Sequence, residues 1–319
     1  MPGDSPEMSM KHLSLLVASL ACAGVWFQAS LRAGEPSRNI AGKMLRDASL
    51  MLLKEGNDRY VAGKSQHPNL DSERRSSTAA GQEPFASVLA CSDSRGPVEL
   101  IFDRGVGDLF VVRVAGNIAG DSELASLEYG VEHLNTPVLV VLGHSQCGAV
   151  TAVAKGAELH EHLHTIAEKI QPAAEKARAE STDPNDLVPR AIQANVWNTM
   201  ERVLRESSVI RERVETGSAH VIGAVYDLES GRVSWLGGHP AQDAIVALAN
   251  QAQTDVALAK NPKSIVPPVT PPGKASIAEA GAGRVLPQPK ASPGTISPGP
   301  GKPLAETGAH APAPSAPRH

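Results

Sequence analysis

Two short stretches carry most of the groups that can do chemistry: Ala90-Cys91-Ser92-Asp93-Ser94-Arg95 and Gly143-His144-Ser145-Gln146-Cys147-Gly148. Cys91, His144 and Cys147 make a nitrogen–sulfur donor set of the kind zinc prefers. Three protein ligands with a fourth tetrahedral position left open is the pattern of a catalytic zinc site rather than a structural one. The remaining cysteine, Cys22, sits in an N-terminal apolar segment and supplies no fourth ligand. Cys147 falls where a helix should begin, and a helix N-terminus favours the thiolate that a metal needs. The spacing of Cys91, Asp93 and Arg95 predicts an extended stretch with all three side chains on one face. Arg95 can then hold Asp93 through a fork of parallel hydrogen bonds, keeping the carboxylate ionised and oriented. A carboxylate held beside the open position can accept a proton from water there.

Elements must bring these groups together. Each stretch follows an apolar run, Phe85 to Ala90 and Pro137 to Leu142, that reads as a strand buried on both faces. Ligands of open α/β sheets sit at the carboxyl ends of such strands. Asp108 to Val114 is rich in β-branched residues and predicts a further strand, and Ala115-Gly116-Asn117 a turn. His220 to Asp227 and Arg232 to Leu236 predict a hairpin around Glu229-Ser230-Gly231. Helices are expected over Ala41 to Ala62, with Leu45, Leu50, Met51, Leu53 and Tyr60 as its apolar members, and over Pro97 to Phe102. Others are expected over Ser122 to His133, capped by Asp121 or Ser122, in a run from Cys147 to about Glu215, and over Gln242 to Ala259. The fold class is α/β, with a mainly parallel central sheet flanked by helices. His160, His162 and His164 cannot all share one helix face at that spacing and read as exposed polar residues.

The order and spacing C-x-D-x-R, then H-x-x-C, each at a strand end, resembles the β-class carbonic anhydrases. The similarity extends over roughly Met44 to Ala259 and is greatest to the plant-type branch. It implies zinc held by Cys91, His144 and Cys147, a catalytic dyad of Asp93 and Arg95, and reversible hydration of carbon dioxide to bicarbonate. Gln82, Phe110 and Tyr129 match positions that line the substrate cleft in that branch. Val88 stands where a branch with a second, non-catalytic bicarbonate pocket has Trp. The resemblance also implies a homodimer or higher homo-oligomer, with the first helix packed on a neighbouring subunit. Two other readings stay open. One is hydrolysis of carbon disulfide or carbonyl sulfide on the same fold. The other is a non-catalytic exported protein whose Cys91 and Cys147 form a disulfide.

Composition bounds the rest. A net charge of -4 offers no basic excess for nucleic acid, and 41% hydrophobic residues can build a sizeable core. Residues 1–33 read as a signal peptide: Lys11 and His12, an apolar run from Leu13 to Phe27, then small residues. The run is short for a spanning helix. Export to the periplasm or beyond, with no stable membrane span after cleavage, is therefore expected. Residues 34–260 are expected to form the β-carbonic anhydrase domain that the resemblance implies. In 261–319, 14 of the 25 prolines gather and no Phe, Trp or Tyr occurs. Such a Pro-rich tail cannot bury enough apolar surface to order itself and is expected to be disordered.

Overall fold

The computed structural model describes residues 40–260. The signal peptide and the Pro-rich tail lie outside the described residues. At the centre is a five-stranded sheet in the order β2-β1-β3-β4-β5, with β1 Ala86–Ala90, β2 Leu109–Arg113, β3 Val138–His144, β4 His220–Tyr226 and β5 Val233–Gly237. The first four strands run parallel and β5 pairs antiparallel to β4, so the expected hairpin closes one edge of the sheet.

Every residue of β1 and β3 is buried, because helices cover both faces. Strand side chains alternate between faces, and the packing follows that period. Val88, Val138, Val140 and Leu142 point to the face covered by α1 (residues 40–61) and α3 Val98–Ile101, where Leu53, Ile101 and Phe102 meet them. Leu89, Leu139 and Val141 point to the other face. There α4 Asp121–Glu128, α7 Leu187–Glu206, α8 Ser208–Glu215 and α9 Gln242–Lys260 supply Leu127, Met200, Val203, Ile210 and Val246. A third cluster gathers α5 Gly148–Ala154, α6 Leu163–Glu180 and the start of α7 around Val150, Ile170 and Ile192. The short helix α2 Ser72–Thr78 buries no side chain. Among the described residues, no helix is long and apolar enough to cross a membrane.

Three local expectations are corrected. The buried stripe of α1 is Ser49, Leu53, Gly56 and Asn57, whereas Leu45 and Met51 are exposed. Polar Asn57 earns its burial with three backbone partners, the carbonyls of Ile101 and Gly231 and the N–H of Val233. Helix α4 is capped by neither Asp121 nor Ser122. Gly120 takes the cap position, and its N–H donates to the Glu123 carboxylate at 2.9 Å. The same helix then widens at Tyr129–His133 into a π turn, so the expected continuous helix is broken in hydrogen-bond pattern.

Candidate metal centre

Strands β1 and β3 are neighbours, but β1 leads to β2 on one side while β3 leads to β4 on the other. Their carboxyl ends therefore open a crevice at the point where the strand order reverses. Cys91 follows β1, His144 ends β3, and Cys147 is the N-cap of α5 after the turn at Ser145-Gln146. Gln146 has a φ of 53°, and this left-handed residue returns the chain so that Cys147 faces the crevice. The ligand atoms of Cys91, His144 and Cys147 all lie within 4.8 Å of one another, and all three residues are buried. No other such group occurs among the described residues, and His160, His162 and His164 are exposed.

The protonation pattern of these groups tests whether they suit a metal. His144 Nδ1 lies 2.9 Å from the Ser145 carbonyl, which fixes it as the donor. Its Nε2 is left buried with no hydrogen-bond partner, the arrangement of a metal-ligating imidazole whose other nitrogen is held from behind. The sulfurs of Cys91 and Cys147 are 3.9 Å apart and both thiols are free. A disulfide needs about 2.05 Å, so the two sulfurs stand as separate donors. Hydrogen bonding from the Cys147 thiol, set against burial and aided by His144 and the Gly116 N–H, brings the Cys91 thiol down to about 4. The same contact with Cys91, together with burial, pushes Cys147 up. Burial opposes charge on His144, yet the Cys91 sulfur and Asp93 raise its pKa above the ordinary value. Cys91 and Cys147 would both bind a dication as thiolates, since its charge offsets the repulsion that otherwise holds the second proton. The donor set fits zinc with one tetrahedral position left for another ligand.

Asp93 lies beside this donor set. Its Oδ2 is 3.9 Å from His144 Nε2 and accepts from Arg95 Nη2 at 2.7 Å, while Oδ1 accepts from Arg95 Nε at 2.9 Å. The Arg95 backbone N–H adds a third bond to Oδ1, also at 2.9 Å. Arg95, against some burial, thus holds the carboxyl well below the usual carboxylate range. The fork forms as expected, but on a different backbone. Ser94 and Arg95 lie in a turn, closed by the Gly96 N–H on the Asp93 carbonyl, rather than in an extended stretch. The turn folds Arg95 back onto the residue two before it.

Two supports were not singled out in the sequence. Arg113, the last residue of β2, donates to the backbone carbonyls of Cys91 at 3.0 Å and Asp93 at 2.6 Å, fixing the loop that carries both. Gly116 donates its N–H to Cys91 Sγ at 3.3 Å. The only sequence signal for either was their place in the strand and turn at Val112-Arg113-Val114-Ala115-Gly116.

Gln82, Phe110 and Tyr129 are not brought to this centre in the same chain. Phe110 pairs with Ser87 in the sheet, four residues before Cys91 and so roughly 13 Å away along the strand. Tyr129 packs beside Phe110 with ring centroids 5.9 Å apart and is 47% exposed. Gln82 is exposed ahead of β1, toward the opposite end of the sheet from Cys91.

Comparison with known proteins bears on the same residues. The profile of the carbonic anhydrase family matches residues 86–233, a span that contains both motifs. Carbonic anhydrase 2 of Mycobacterium tuberculosis is 40% identical over 189 residues, covering 58% of this chain and 90% of that protein. Carbonic anhydrase of Mycolicibacterium smegmatis is 36% identical over 190 residues, covering 58% and 91%. The solved β-carbonic anhydrase CafA of Aspergillus fumigatus superimposes with a TM-score of 0.52 at 29% identity, covering 61% of this chain and 94% of that one. With nearly the whole length of these relatives matched and the sulfur–imidazole crevice falling inside the match, the chain belongs to the β-carbonic anhydrase family.

Proposed function

We propose that the protein catalyses the zinc-dependent, reversible hydration of carbon dioxide to bicarbonate and a proton. One observation carries this reading: the bare, buried Nε2 of His144 converges with two free thiols beside a carboxylate already locked by Arg95. Cys91, His144 and Cys147 would hold the metal. When bound, zinc supplies a Lewis acid that makes water nucleophilic near neutral pH. Asp93 would accept a hydrogen bond from a water there and orient it or take its proton. Arg95 keeps Asp93 ionised for the task and prevents it from turning away. The buried surroundings of Ile118, Val150 and the two cysteines suit an apolar gas better than a charged substrate.

The working unit we propose is a homodimer or larger homo-oligomer. Support comes from two apolar surfaces that one chain leaves open. On α1, Ile40, Met44, Leu45 and Met51 are all more than half exposed, and Tyr129 is half exposed beside Phe110. Burying such a stripe against a second copy follows the ordinary anatomy of subunit contacts. In that assembly Gln82, Phe110 and Tyr129 of one chain contribute to the cleft of another. Export rests on residues 1–33, and N-terminal sequencing of the protein from fractionated host cells checks it: a start near residue 34 outside the cytoplasm is expected.

Stopped-flow hydration of carbon dioxide, with zinc measured in the same sample, tests the activity. Turnover should scale with zinc content, vanish on chelation and return with added zinc. Full turnover by metal-free protein would overturn the reading. Turnover of carbon disulfide or carbonyl sulfide in place of carbon dioxide would redirect it to the other small substrates.

A further inference from the structure

We infer that Asn195, on α7, is a positioning residue that tunes the metal centre through the sulfur of Cys91. This rests on the zinc reading above. Asn195 is fully buried, unusual for an amide on a helix otherwise packed with Val196, Thr199, Met200 and Val203. Its Nδ2 donates to the carbonyl of Gly116 at 2.7 Å, across a gap of 79 residues in sequence. Gly116 in turn donates its N–H to Cys91 Sγ. A buried amide, one left-handed residue and a metal-ligating sulfur thus form a continuous chain.

Gly116 is the part of that chain that needs holding. Its φ is 76°, in the region where a side chain is strained, and a Cβ there would come within 2.7 Å of Ile170 Cδ1. Glycine permits this conformation but does not select it, because it populates many others. The Asn195 bond selects it by clamping the carbonyl side of the residue, and so fixes where the N–H points. A hydrogen bond to a thiolate withdraws electron density from sulfur and weakens its donation to the metal. Such outer partners typically change metal affinity by about 10–100-fold. Asn195 is fully buried and its bond is to the Gly116 carbonyl, so its influence on the sulfur passes through Gly116.

Cobalt substitution reads this influence at the sulfur itself. The variants are Asn195→Ala and Asn195→Leu, the second keeping the number and branching of the side-chain heavy atoms so that no cavity accompanies the lost donor. The control is Asn198→Ala on the same helix, whose Nδ2 donates to the Lys169 carbonyl at 2.8 Å. That bond has the same chemistry and no link to Cys91. Both Asn195 variants should move the thiolate-to-cobalt charge-transfer band to lower energy than in the parent, because an unbonded sulfur gives up electron density more easily. They should also lower zinc affinity about tenfold in chelator competition, because a sulfur released from its Gly116 partner is no longer held in place, a loss larger than the gain from its stronger donation. Asn198→Ala should lose thermal stability without moving the band or the affinity. If an Asn195 variant that folds keeps the parent band and affinity, or matches Asn198→Ala in both, the inference is wrong. If the parent itself shows no thiolate-to-cobalt band, it is the zinc reading that fails.

Discussion

Removing one sulfur tests the donor set most directly. Cys147→Ser exchanges a soft thiolate for a hydroxyl that stays protonated at neutral pH, leaving two protein ligands of the right kind. Less than about a tenth of the parent zinc content is expected by elemental analysis; full occupancy would remove Cys147 from the ligand set. Asp93→Asn separates binding from chemistry. The amide keeps the shape, cannot take up a proton, and turns one of the Arg95 bonds into a donor–donor clash. Zinc should be retained while kcat/KM falls by about 100-fold or more, the range associated with a positioned acid–base group. The same variant has a pH signature. Asp93 titrates below its unfolded value of about 3.9, so its bonds to Arg95 add stability that is present above that pH and lost as pH falls through the folded pKa. Arg95 is about half exposed, so this contribution is small. On metal-free protein, the gap in Tm between parent and Asp93→Asn should therefore narrow from pH 6 toward pH 3, and a gap that widens toward acid would reverse the assigned sign.

At the scale of elements, the crevice depends on how closely helices approach the sheet. Gly56 of α1 lies against the backbone of Phe102 just after α3, where an added Cβ would sit 1.8 Å from the Phe102 carbonyl oxygen. Backbone cannot yield as a side-chain tip can, so Gly56→Ala should lift α1 from its seat. A loss of about 3 kcal/mol is expected from overpacking of this kind, read by denaturant unfolding with both curves analysed at equal slope. An unchanged midpoint would show that α1 is loosely held. The face that α1 buries was not legible from its sequence. Leu45, Met51 and Leu53 compete for the inward position, and the choice falls to Gly56 and Asn57, whose value lies in a close approach and in backbone partners 44 to 176 residues away. The strands were legible because burial on both faces leaves apolar runs such as Val138 to Leu142 with no alternative. The convergence of the candidate donors was legible for a related reason: Cys91, His144 and Cys147 sit directly at strand and helix ends, so sequence position already fixes their place. The turn at Ser94-Arg95 and the roles of Arg113, Gly116 and Asn195 depend on contacts across the fold, which no local spacing records.

At the scale of the whole molecule, the separation of the metal centre from Phe110 and Tyr129 has a measurable consequence. The parallel register places Phe110 opposite Ser87, well below the crevice at the carboxyl end of β1, and a rigid sheet cannot close that distance within one chain. If these aromatic side chains serve catalysis, they serve the centre of another copy. Two defective variants then repair each other. Cys147→Ser lacks metal but keeps its aromatic side chains; the double variant Phe110→Ala with Tyr129→Ala keeps metal but lacks them. In a mixed dimer, the metal of the second chain meets the intact Phe110 and Tyr129 of the first, and one competent cleft is restored. Each mixed dimer has one working cleft of two, so the isolated mixed dimer should show about half of the parent activity per chain where neither variant alone has it. The experiment is dissociation and reassociation of tagged variants, isolation of the doubly tagged dimer, and a hydration assay on that fraction against each unmixed variant treated alike. A mixed dimer no more active than the mean of its parents would confine each cleft to a single chain and leave Phe110 and Tyr129 as packing surface alone.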